Sequence, residues 1–454
     1  MANLPVSGAV NTTRVLAAEV VPYPSRRYAW YMTALLTAAY LLSFVDRQIL
    51  SLLAEPIKRD LGLSDTQLGW LMGPAFALFY VTLGLPIGWL ADRANRKNLV
   101  GAGVTFWCVM TAACGLARGY AQLFVARMGV GVGESVLTPT AYSLIGDYFP
   151  REEQGRAMGL FKSGISLGLG VAYLVGAQVV SWSSTAPPLR VPGFGEMEAW
   201  RVGFAIVGLP GILVAALLFA AREPPRRGRV AAGDSIVATL RYIAARRQAF
   251  GGLILGMGIT TLLGYAWFWL PSLFVRTWGW SIADMSWAYG SILLVCGPGG
   301  ALFGGWLGTH WIRQGRPNGT YLACMLSLGV MLATSIAVPL MPTGAAAVAM
   351  LVPATVAGAM ASSTGAASLV LAAPSQIRAQ SAAVYMLSMN LLGLTLGPVS
   401  VGLLNDHVFT SPDGIRYSLA LVPALVGLPL LAVLISARGA YRRQVVEVAG
   451  ENGT

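Results

Sequence analysis

Long apolar runs separated by short polar stretches follow one another along the chain. Twelve of these runs come close to or exceed the length of about 20 residues that a helix needs to cross a membrane. The predicted spans cover residues 30–53, 67–91, 98–117, 120–147, 156–181, 200–221, 250–275, 284–308, 319–340, 345–371, 377–404 and 417–437. The pattern predicts an all-α membrane protein with twelve transmembrane helices.

The amino-acid composition agrees with a chain that lies mostly inside a membrane. Its 454 residues are 56% hydrophobic and 11% charged, and the mean hydropathy is +0.64. A soluble protein of ordinary composition has about 25% charged residues. The composition therefore favours a polytopic membrane protein over a large soluble enzyme.

Basic residues are distributed unevenly between the two sides of the predicted spans. Of the 31 lysines and arginines, we assign 21 to one side, seven to the other, and three (Arg47, Arg127 and Lys162) to the spans themselves. Cytoplasmic loops carry the excess of such residues. We therefore predict that both termini are cytoplasmic and that the protein lies in a bacterial inner membrane. Since the net charge of +12 follows this topology, we expect no nucleic-acid partner.

A basic stretch between the sixth and seventh runs divides the chain into halves. It starts at Arg222-Glu-Pro-Pro-Arg-Arg-Gly-Arg229 and continues into an amphipathic segment, residues 234–248, which we expect to lie along the inner membrane surface. The predicted organisation is a cytoplasmic tail (1–27), a six-helix bundle (28–222), a cytoplasmic linker (223–249), a second six-helix bundle (250–438) and a cytoplasmic tail (439–454).

The two halves look like repeats of each other. Gly88-Trp-Leu-Ala-Asp-Arg93 ends the second run, and Gly305-Trp-Leu-Gly-Thr-His310 ends the eighth, 217 residues later. Pro150-Arg-Glu-Glu-Gln-Gly-Arg156 enters the fifth run, and Pro374-Ser-Gln-Ile-Arg-Ala-Gln380 enters the eleventh, 224 residues later. Repeated bundles with a binding site between them at mid-membrane are a transporter design.

Two of these stretches resemble the motifs of a known family. Gly88-Trp-Leu-Ala-Asp-Arg-Ala-Asn-Arg-Lys97 resembles the signature between spans two and three of the major facilitator superfamily, with Asn95 where that signature usually has glycine. Arg127-Met-Gly-Val-Gly-Val-Gly-Glu134 resembles the superfamily's span-four motif, which starts with an arginine. The resemblance covers essentially the whole chain. It implies the superfamily fold, with twelve transmembrane helices in two pseudo-symmetric six-helix bundles.

Within that superfamily the chain resembles bacterial relatives of the Spinster lysolipid transporters. The residues that carry this resemblance are Ser43-Phe-Val-Asp-Arg47 in the first run, Gly131-Val-Gly-Glu134 with Pro139 in the fourth, and Asp147-Tyr-Phe-Pro150 at its end. Eukaryotic members of that group move sphingolipid phosphates or lysophospholipids. The resemblance therefore implies a substrate with an acyl chain and a polar head.

Four charged residues lie inside the first and fourth runs. Asp46 and Arg47 are adjacent in the first run, and the fourth run contains Arg127 and Glu134. At a rise of 1.5 Å per residue, Asp46 and Arg127 are both about 10 Å from the outer ends of their spans, and we predict that they pair. Arg47 points about 100° away from Asp46 and is available to either carboxylate.

We predict that these four residues form a proton-linked switch. Burial raises the pKa of a carboxyl group and a nearby arginine lowers it, so a motion that changes this distance would load or release a proton. One alternative is a static ion-pair network that fixes helix packing. Another is that the arginines bind an anionic headgroup.

A cytoplasmic gate is implied by the superfamily resemblance. Asp92 would lie near the N-terminal end of span eleven, and Arg96 would bridge to Asp147. The alternative is that these are ordinary loop charges.

The substrate cavity is expected to have a charged wall in the first half and an apolar wall in the second. The predicted substrate-binding residues are Glu134, Arg47, Arg127 and Lys162 on the first wall and Tyr265, Trp269, Tyr385 and Asn390 on the second. Such a cavity would suit an amphipathic molecule. In the alternatives, Lys162 reaches the inner surface, and the aromatic residues face lipid or packed helices.

No cofactor or metal site is predicted. The four cysteines fall in apolar runs, and the two histidines lie near run ends. Gly129-x-Gly131-x-Gly133 lacks the strand and the lysine of a phosphate-binding loop. We therefore predict a transporter and not an enzyme.

The function that we predict is proton-coupled transport of an amphipathic anion of the lysophospholipid or sphingoid-phosphate class. Its partners are the solute, protons and the lipid bilayer, and we expect a monomer. Two alternatives stay open. The chain could carry small hydrophilic organic anions, with the arginines as substrate clamps, or it could be a membrane receptor that does not transport.

Overall fold

The computed structural model describes residues 22–91, 93–187, 189–191, 195–226, 236–374 and 377–451. These ranges are almost entirely helical. A short antiparallel hairpin, β1 (Leu189–Val191) and β2 (Gly195–Met197), lies between the fifth and sixth predicted spans. The all-α prediction is therefore confirmed.

In the first half, three of the predicted spans are each formed by two helices. They are α1 (Arg26–Leu52), α2 (Ala54–Leu61), α3 (Asp65–Met72), α4 (Pro74–Ala91), α5 (Arg96–Leu116), α6 (Tyr120–Glu134), α7 (Leu137–Tyr148), α8 (Arg151–Thr185), α9 (Ala199–Gly208) and α10 (Pro210–Ala220).

The second half begins with a linker helix and ends with a helix beyond the last span. Its helices are α11 (Ile236–Ala245), α12 (Arg247–Ala266), α13 (Leu270–Trp278), α14 (Ile282–Arg313), α15 (Gly319–Leu340), α16 (Gly344–Ala372), α17 (Arg378–His407), α18 (Ile415–Val422), α19 (Leu428–Ser436) and α20 (Arg438–Glu451). A 3₁₀ turn (Trp267–Trp269) joins α12 to α13, another (Pro412–Gly414) precedes α18, and a π turn (Pro423–Gly427) joins α18 to α19.

Helices stand at the positions of all the predicted spans. In the part of the chain that the structure describes, ten helical segments are long and apolar enough to cross a membrane. The second, fourth and sixth predicted spans are each made of two helices: α3 with α4, α6 with α7, and α9 with α10. These pairs meet at Gly73, at Ser135–Val136 and at Leu209. The fold is that of a polytopic membrane protein.

The start of α3 shows how local sequence positions a functional residue. Gly62 adopts φ +63° and ends α2, a conformation that glycine adopts without steric strain. The Ser64 hydroxyl then accepts the backbone N–H of Gln67, and the Gln67 carboxamide accepts that of Ser64. This capping box fixes Asp65 as the first residue of α3.

The two ends of the molecule are named here from the predicted orientation. The outer end is where α1 ends and α3 begins, from Leu52 to Asp65. The inner end is the opposite one, where α1 begins at Arg26. In the first half α1 packs along α8, and α5 packs against α6, α9 and α10. In the second half α15 packs against α14 and α16, and α12 packs along α17.

The halves meet along two pairs of helices, α8 with α14 and α3 with α17. The repeated motifs relate span two to span eight and span five to span eleven, so these two contacts are equivalent under the repeat. Glycines allow the second contact. A Cβ on Gly69 would lie 2.7 Å from the Pro398 carbonyl oxygen, and one on Gly402 would lie 2.5 Å from that of Asp65. Only glycine permits backbones this close.

The larger of two apolar cores crosses between the halves at the outer end. It joins Leu50 and Leu53 of the first half to Leu270 and Phe274 of the second. A smaller core fills the inner part of the first bundle, around Trp107 and Phe161. The packing therefore joins the halves most extensively at the outer end.

The linker and the C-terminal segment carry helices that lie against the second bundle. Helix α11 falls within the predicted amphipathic segment, whereas residues 227–235 of the linker lie outside the described residues. The predicted C-terminal tail is largely the helix α20, which packs on α12 and α16. The exact domain boundaries stay a prediction.

Candidate functional site

A buried ion pair lies inside the first bundle. The Arg47 guanidinium donates to one oxygen of Glu134, at 2.7 Å from Nε and 2.6 Å from Nη2. The side chain of Glu134 is 0% exposed and that of Arg47 is 7% exposed. The second oxygen of Glu134 has no hydrogen-bond donor among the described residues.

Asp46 has a different environment from its neighbour. One of its carboxylate oxygens accepts the Thr111 hydroxyl of α5 at 2.5 Å, and the other has no donor in the described part of the chain. The residue is 2% exposed. A buried ionised oxygen without a donor is costly, so this carboxyl group is better suited to carrying a proton than a fully bonded one.

The predicted pairing of Arg127 with the Asp46 carboxylate is wrong. Arg127 Nη1 lies 3.5 Å from the Asp46 backbone oxygen, so the two residues are at the same depth, but the carboxylate is not the partner. Side chains lean towards the N-terminus of their helix, and carbonyl groups point towards its C-terminus. Since α1 runs outwards and α6 inwards, Arg47 leans inwards to Glu134. Arg127 leans outwards and meets a carbonyl group.

Aromatic rings enclose the Arg47 guanidinium. Its central carbon lies 4.9 Å from the centroid of Phe44, 4.6 Å from that of Phe76 and 4.6 Å from that of Tyr80. Ring faces attract a cation without neutralising it. The arginine therefore stays charged and held even when its carboxylate partner changes.

A cavity of about 280 Å³ lies between the two halves. The first half lines it with α1 and α8, and the second half lines it with α12, the 3₁₀ turn, α14, α15 and α16. Its walls are mostly apolar and aromatic, with hydroxyl groups and the Gln48 carboxamide as polar groups, and the residues that line it include no charged side chain. This is the composition of a site for a partly apolar molecule.

Aromatic contacts cross the cavity from one half to the other. Tyr173 of α8 packs edge-on against Tyr289 of α14, with 5.0 Å between the ring centroids. Gln48, the residue after Arg47, donates to the Tyr173 hydroxyl at 3.0 Å. The cavity wall and the charged cluster are thus joined through consecutive residues of α1.

Tyr265 stands between the cavity and the charged cluster. It packs edge-on against the cavity residue Phe268, at 5.4 Å between centroids, and also against the inner core of the first bundle. Trp269 is turned away by the 3₁₀ turn, and its indole N–H donates to the Pro398 carbonyl at 2.9 Å. Of the aromatic stretch that the sequence singles out, Trp267 and Phe268 are the residues that line the cavity.

The other predicted substrate residues do not line the cavity in this conformation. Lys162 is exposed on α8. Tyr385 is buried in the second bundle, and Asn390 donates to the Met386 carbonyl of its own helix at 3.0 Å. Their contact with substrate stays a prediction.

A polar clamp, here Glu55, Lys58, Asp65, Arg276, Asn405 and Asp406, closes the outer end. Arg276 of the second half donates to both oxygens of Asp65 and, at 2.8 Å, to Glu55 of the first half. Lys58 is a further partner of Asp65. A bidentate arginine–carboxylate pair fixes both distance and angle between the halves.

The remainder of the clamp uses the first residues of α3. The Asp406 carboxylate of α17 accepts the backbone N–H groups of Asp65 and Thr66 at 3.1 and 2.7 Å. Asn405 donates to Asp65 at 2.9 Å. Nearby, the Ser51 hydroxyl donates to the carbonyl of the cavity residue Phe268. The clamp therefore lies directly outside the cavity.

The Asp65 carboxylate of the clamp is expected to stay ionised in the neutral pH range. Burial alone would raise the pKa of Asp65, but Arg276, and then Lys58, hold it below its ordinary value of 3.8. A lowered pKa gives stabilisation that is complete above the ordinary value and is lost only as the pH falls through the lowered value. We therefore do not assign Asp65 a role in proton transfer near neutral pH.

At the inner end Arg96 is the centre of a second polar cluster. The predicted contact with Asp147 is present, and Arg96 also donates to Glu223 at 2.7 Å and to the Pro224 carbonyl at 3.1 Å. Arg96 is 1% exposed. Asp92 lies outside the described residues, so the gate role of this cluster stays a prediction.

An Arg96→Gln variant is expected to be much less stable than the wild-type protein. Removing one partner from a buried ion pair costs about 3–5 kcal/mol, and this arginine serves two carboxylates and the start of the linker. The thermal unfolding midpoint of the purified protein in detergent is the measurement. Arg93→Gln, at an exposed position on the same loop, is the control. Equal midpoints for the two variants would contradict the assigned role.

Sequence reasoning missed the clamp and most of the cavity. Glu55, Lys58 and Arg276 lie just outside the predicted spans, and nothing in the local sequence distinguishes them from solvated charges. One signal was present, because the loops after spans one and seven occupy equivalent positions in the two repeats. That equivalence places Arg276 opposite the residues around Lys58.

Comparisons with known proteins agree with this geometry. The family model described as Major Facilitator Superfamily matches residues 36–398. An MFS-type efflux pump of Mycolicibacterium smegmatis is 26% identical over 430 residues, which are 93% of this chain and 96% of that protein. A probable L-galactonate transporter of Escherichia coli is 32% identical over 181 residues, 40% of this chain and 36% of that protein.

One solved structure of similar fold also has a described conformation. It is a bacterial homologue of the human lysosomal transporter Spinster in an inward-facing and unoccupied conformation, with 27% sequence identity and a TM-score of 0.76. The match covers 94% of this chain and 99% of that one. The family model spans most of the chain, and the helices, the repeat and the central cavity agree with it. The chain is an integral membrane transporter that belongs to the Major Facilitator Superfamily.

Proposed function

We propose that this transporter is a proton-coupled carrier of an amphipathic, anionic, lipid-like solute that works by alternating access. The observation that carries the proposal is the combination of two adjoining sites. One is a buried cluster of two arginines and two carboxylates, and the other is a largely apolar cavity that the two halves share.

Glu134 is the residue through which a proton and an anion compete in this proposal. Its carboxylate accepts two hydrogen bonds from the Arg47 guanidinium, which is therefore not free to bind an anionic substrate. Protonation removes that negative charge, so Arg47, which aromatic rings hold in place, becomes available to an anionic headgroup. Asp46 is the second proton carrier, because one of its oxygens has no donor among the described residues.

The cavity supports an amphipathic solute over a purely ionic one. Trp267, Phe268 and Tyr289 give it aromatic walls, and Gln48 and Tyr173 offer polar groups on the side nearest the charged cluster. An acyl or sphingoid chain would occupy the apolar part, and the head would approach Arg47 past Tyr265. The similar solved structure is a homologue of Spinster, and the resemblance of this sequence to the Spinster group implies such a substrate.

The closed outer end supports an inward-facing state for this structure. The clamp and the larger core join the halves there, and the similar structure is described as inward-facing. Transport would then require the clamp to open while the inner end closes. The uneven distribution of basic residues supports a cytoplasmic position for both termini. Cluster, cavity and clamp all lie within one chain, which supports a functional monomer.

A second candidate substrate class is the small hydrophilic organic anion. The probable L-galactonate transporter among the relatives favours it, as do the two buried arginines, which could clamp a carboxylate. In that case the anion would displace Glu134 from Arg47, and the apolar cavity would be only a passage.

A binding screen of the purified protein tests the proposal and separates the two classes. Lysophosphatidylglycerol, sphingosine 1-phosphate and galactonate are titrated between pH 5 and 8 into the wild-type protein and into Glu134→Gln. We expect the lysolipids to bind, and to bind about tenfold more tightly as the pH falls, because protonation frees Arg47. Glu134→Gln should bind them tightly at every pH.

Glu196→Gln, in the exposed part of β2, is the matched control and should keep the wild-type pH dependence. Binding of galactonate without binding of either lipid would reject the lipid class in favour of the organic anion. An unchanged pH dependence in Glu134→Gln would reject Glu134 as the site of competition.

A further inference from the structure

A second cavity lies at the inner end, outside the transport pathway. It has a volume of about 330 Å³ and lies where the end of α11, the start of α12 and α20 meet. Arg246, Arg247 and Arg443 are among the residues that line it, together with the single acidic residue Glu447. Nothing in the proposed transport cycle uses this cavity.

The cavity has an excess of positive charge. Glu447 pairs with Arg246 at 2.6 Å. Within the described ranges, Arg247 and Arg443 have no carboxylate within ion-pair distance. Three guanidinium groups and one carboxylate leave two positive charges at the cavity, which suits a phosphate group that arginines can bind through two hydrogen bonds each.

The walls of the cavity are held by buried contacts. The carboxamide of Gln444 donates to the Tyr242 hydroxyl at 2.9 Å and to the Ala372 carbonyl at 3.1 Å. The Tyr441 hydroxyl donates to the Ser368 carbonyl at 2.8 Å. Arg246 stacks over the ring of Tyr242, 4.0 Å from its centroid. The arginines therefore project from a fixed frame and not from a free tail.

Two of the helices that meet at the cavity, α11 and α20, carry exposed apolar side chains. Val237 and Leu240 on α11 are 49% and 46% exposed, and Val446 on α20 is 54% exposed. The candidate span that contains α12 starts at Arg247, which sets the cavity at the level of the membrane surface. Apolar residues beside a basic cavity at that level are suited to lipid tails beside a lipid headgroup.

We propose that this cavity binds the headgroup phosphate of an anionic phospholipid from the inner leaflet. Arg247 and Arg443 hold the phosphate, and Arg246, kept in place by Glu447 and Tyr242, completes the rim. The lipid tails lie along the exposed apolar faces of α11 and α20. Bound lipid thereby ties the linker and the C-terminal helix to the membrane surface.

The test compares lipid binding by two variants that carry the same net charge. The full chain is purified in detergent, and binding of short-chain phosphatidylglycerol, phosphatidylcholine and inorganic phosphate is titrated by native mass spectrometry. The pocket variant is Arg247→Gln with Arg443→Gln. The control is Arg241→Gln with Arg442→Gln, two exposed arginines on α11 and α20 that do not line the cavity.

We expect phosphatidylglycerol to bind the wild-type protein and the control alike, and to bind the pocket variant about tenfold or more weakly. Phosphatidylcholine should bind weakly to all three. Equal weakening in both variants would overturn the site, since it would show attraction by overall charge. Inorganic phosphate that binds as tightly as phosphatidylglycerol would overturn the lipid assignment. The thermal midpoint of each variant reports whether it is folded, and Arg443→Gln alone provides a milder change with the same expected direction.

Discussion

An Asp46→Asn variant is expected to lose pH-gradient-driven transport while it keeps its fold and its capacity to bind substrate. A gradient of one pH unit provides about 1.4 kcal/mol per proton, which supports roughly a tenfold concentration ratio for a carrier that couples one proton to one solute. Asparagine keeps the shape of the side chain and the contact with Thr111 but carries no proton. The ratio for lysophosphatidylglycerol in proteoliposomes should therefore fall to about one.

Asp284→Asn is the matched control for this prediction. Asp284 is an exposed carboxylate at the start of α14, where it accepts the Ser281 hydroxyl at 2.6 Å, and its loss should leave the ratio unchanged. If Asp46→Asn accumulates the solute with the wild-type pH dependence, Asp46 is not a proton carrier. Substrate exchange without a gradient should remain measurable in Asp46→Asn, which separates loss of coupling from loss of folding.

An Arg276→Gln variant is expected to open the outer end. Arg276 joins Asp65 and Glu55 across the two halves, and breaking a buried ion pair from one side costs about 3–5 kcal/mol. A loss of about 3 kcal/mol would raise the ratio of outward-open to inward-open molecules by about 100-fold. The measurement is the rate at which a membrane-impermeant maleimide, added outside, labels Gln48→Cys in a background without the native cysteines.

Arg416→Gln is the control for the clamp. Arg416 is also at the outer end, but it bonds to the Pro339 and Met341 carbonyls within its own half. Its loss should leave the labelling rate of Gln48→Cys unchanged. A labelling rate in Arg276→Gln that equals that of the control would mean that the clamp does not hold the halves together. Because Arg276 holds the pKa of Asp65 below its ordinary value, the labelling rates of the wild-type background and of Arg416→Gln should each be the same at pH 6 and pH 8.

The fold could be predicted from the sequence because it depends on features that repeat. Three features all indicate the same twelve-span topology in two halves. They are the apolar runs of membrane length, the excess of basic residues on one side, and the motifs that occur in both halves. The breaks inside the spans were not predicted, among them those at Gly73, at Ser135–Val136 and at Leu209. The break at Gly73 depends on the close approach of α17, which a local pattern does not contain.

The sequence allowed the four members of the charged cluster to be predicted, but not which arginine pairs with which carboxylate. Asp46, Arg47, Arg127 and Glu134 stand out because charges inside apolar runs are rare. Depth along the helices placed Arg127 level with Asp46, and the 3.5 Å contact with the Asp46 carbonyl agrees with that depth. The predicted pairing was wrong because an estimate from depth alone leaves out the direction in which side chains lean. On the antiparallel helices α1 and α6, that lean brings Arg47 to Glu134.

The cavity and the clamp depend on how two distant halves meet. Gln48 and Tyr173 are ordinary polar residues of their spans until Tyr289 of the other half closes over them. The clamp is likewise built from charged residues near the ends of helices, which become partners only when the two halves pack together. Residues of this kind become functional through tertiary contact, so they cannot be chosen from the sequence of either half alone.

The most direct test of proton coupling is to record proton and solute movement together. Proteoliposomes that contain a pH-sensitive dye receive labelled lysophosphatidylglycerol, with no initial pH gradient. Proton-coupled transport predicts a change in internal pH that starts with solute movement, keeps a fixed ratio to it and is absent from Asp46→Asn. Solute movement in the wild-type protein with no change in internal pH beyond that of protein-free liposomes would contradict the proposed mechanism.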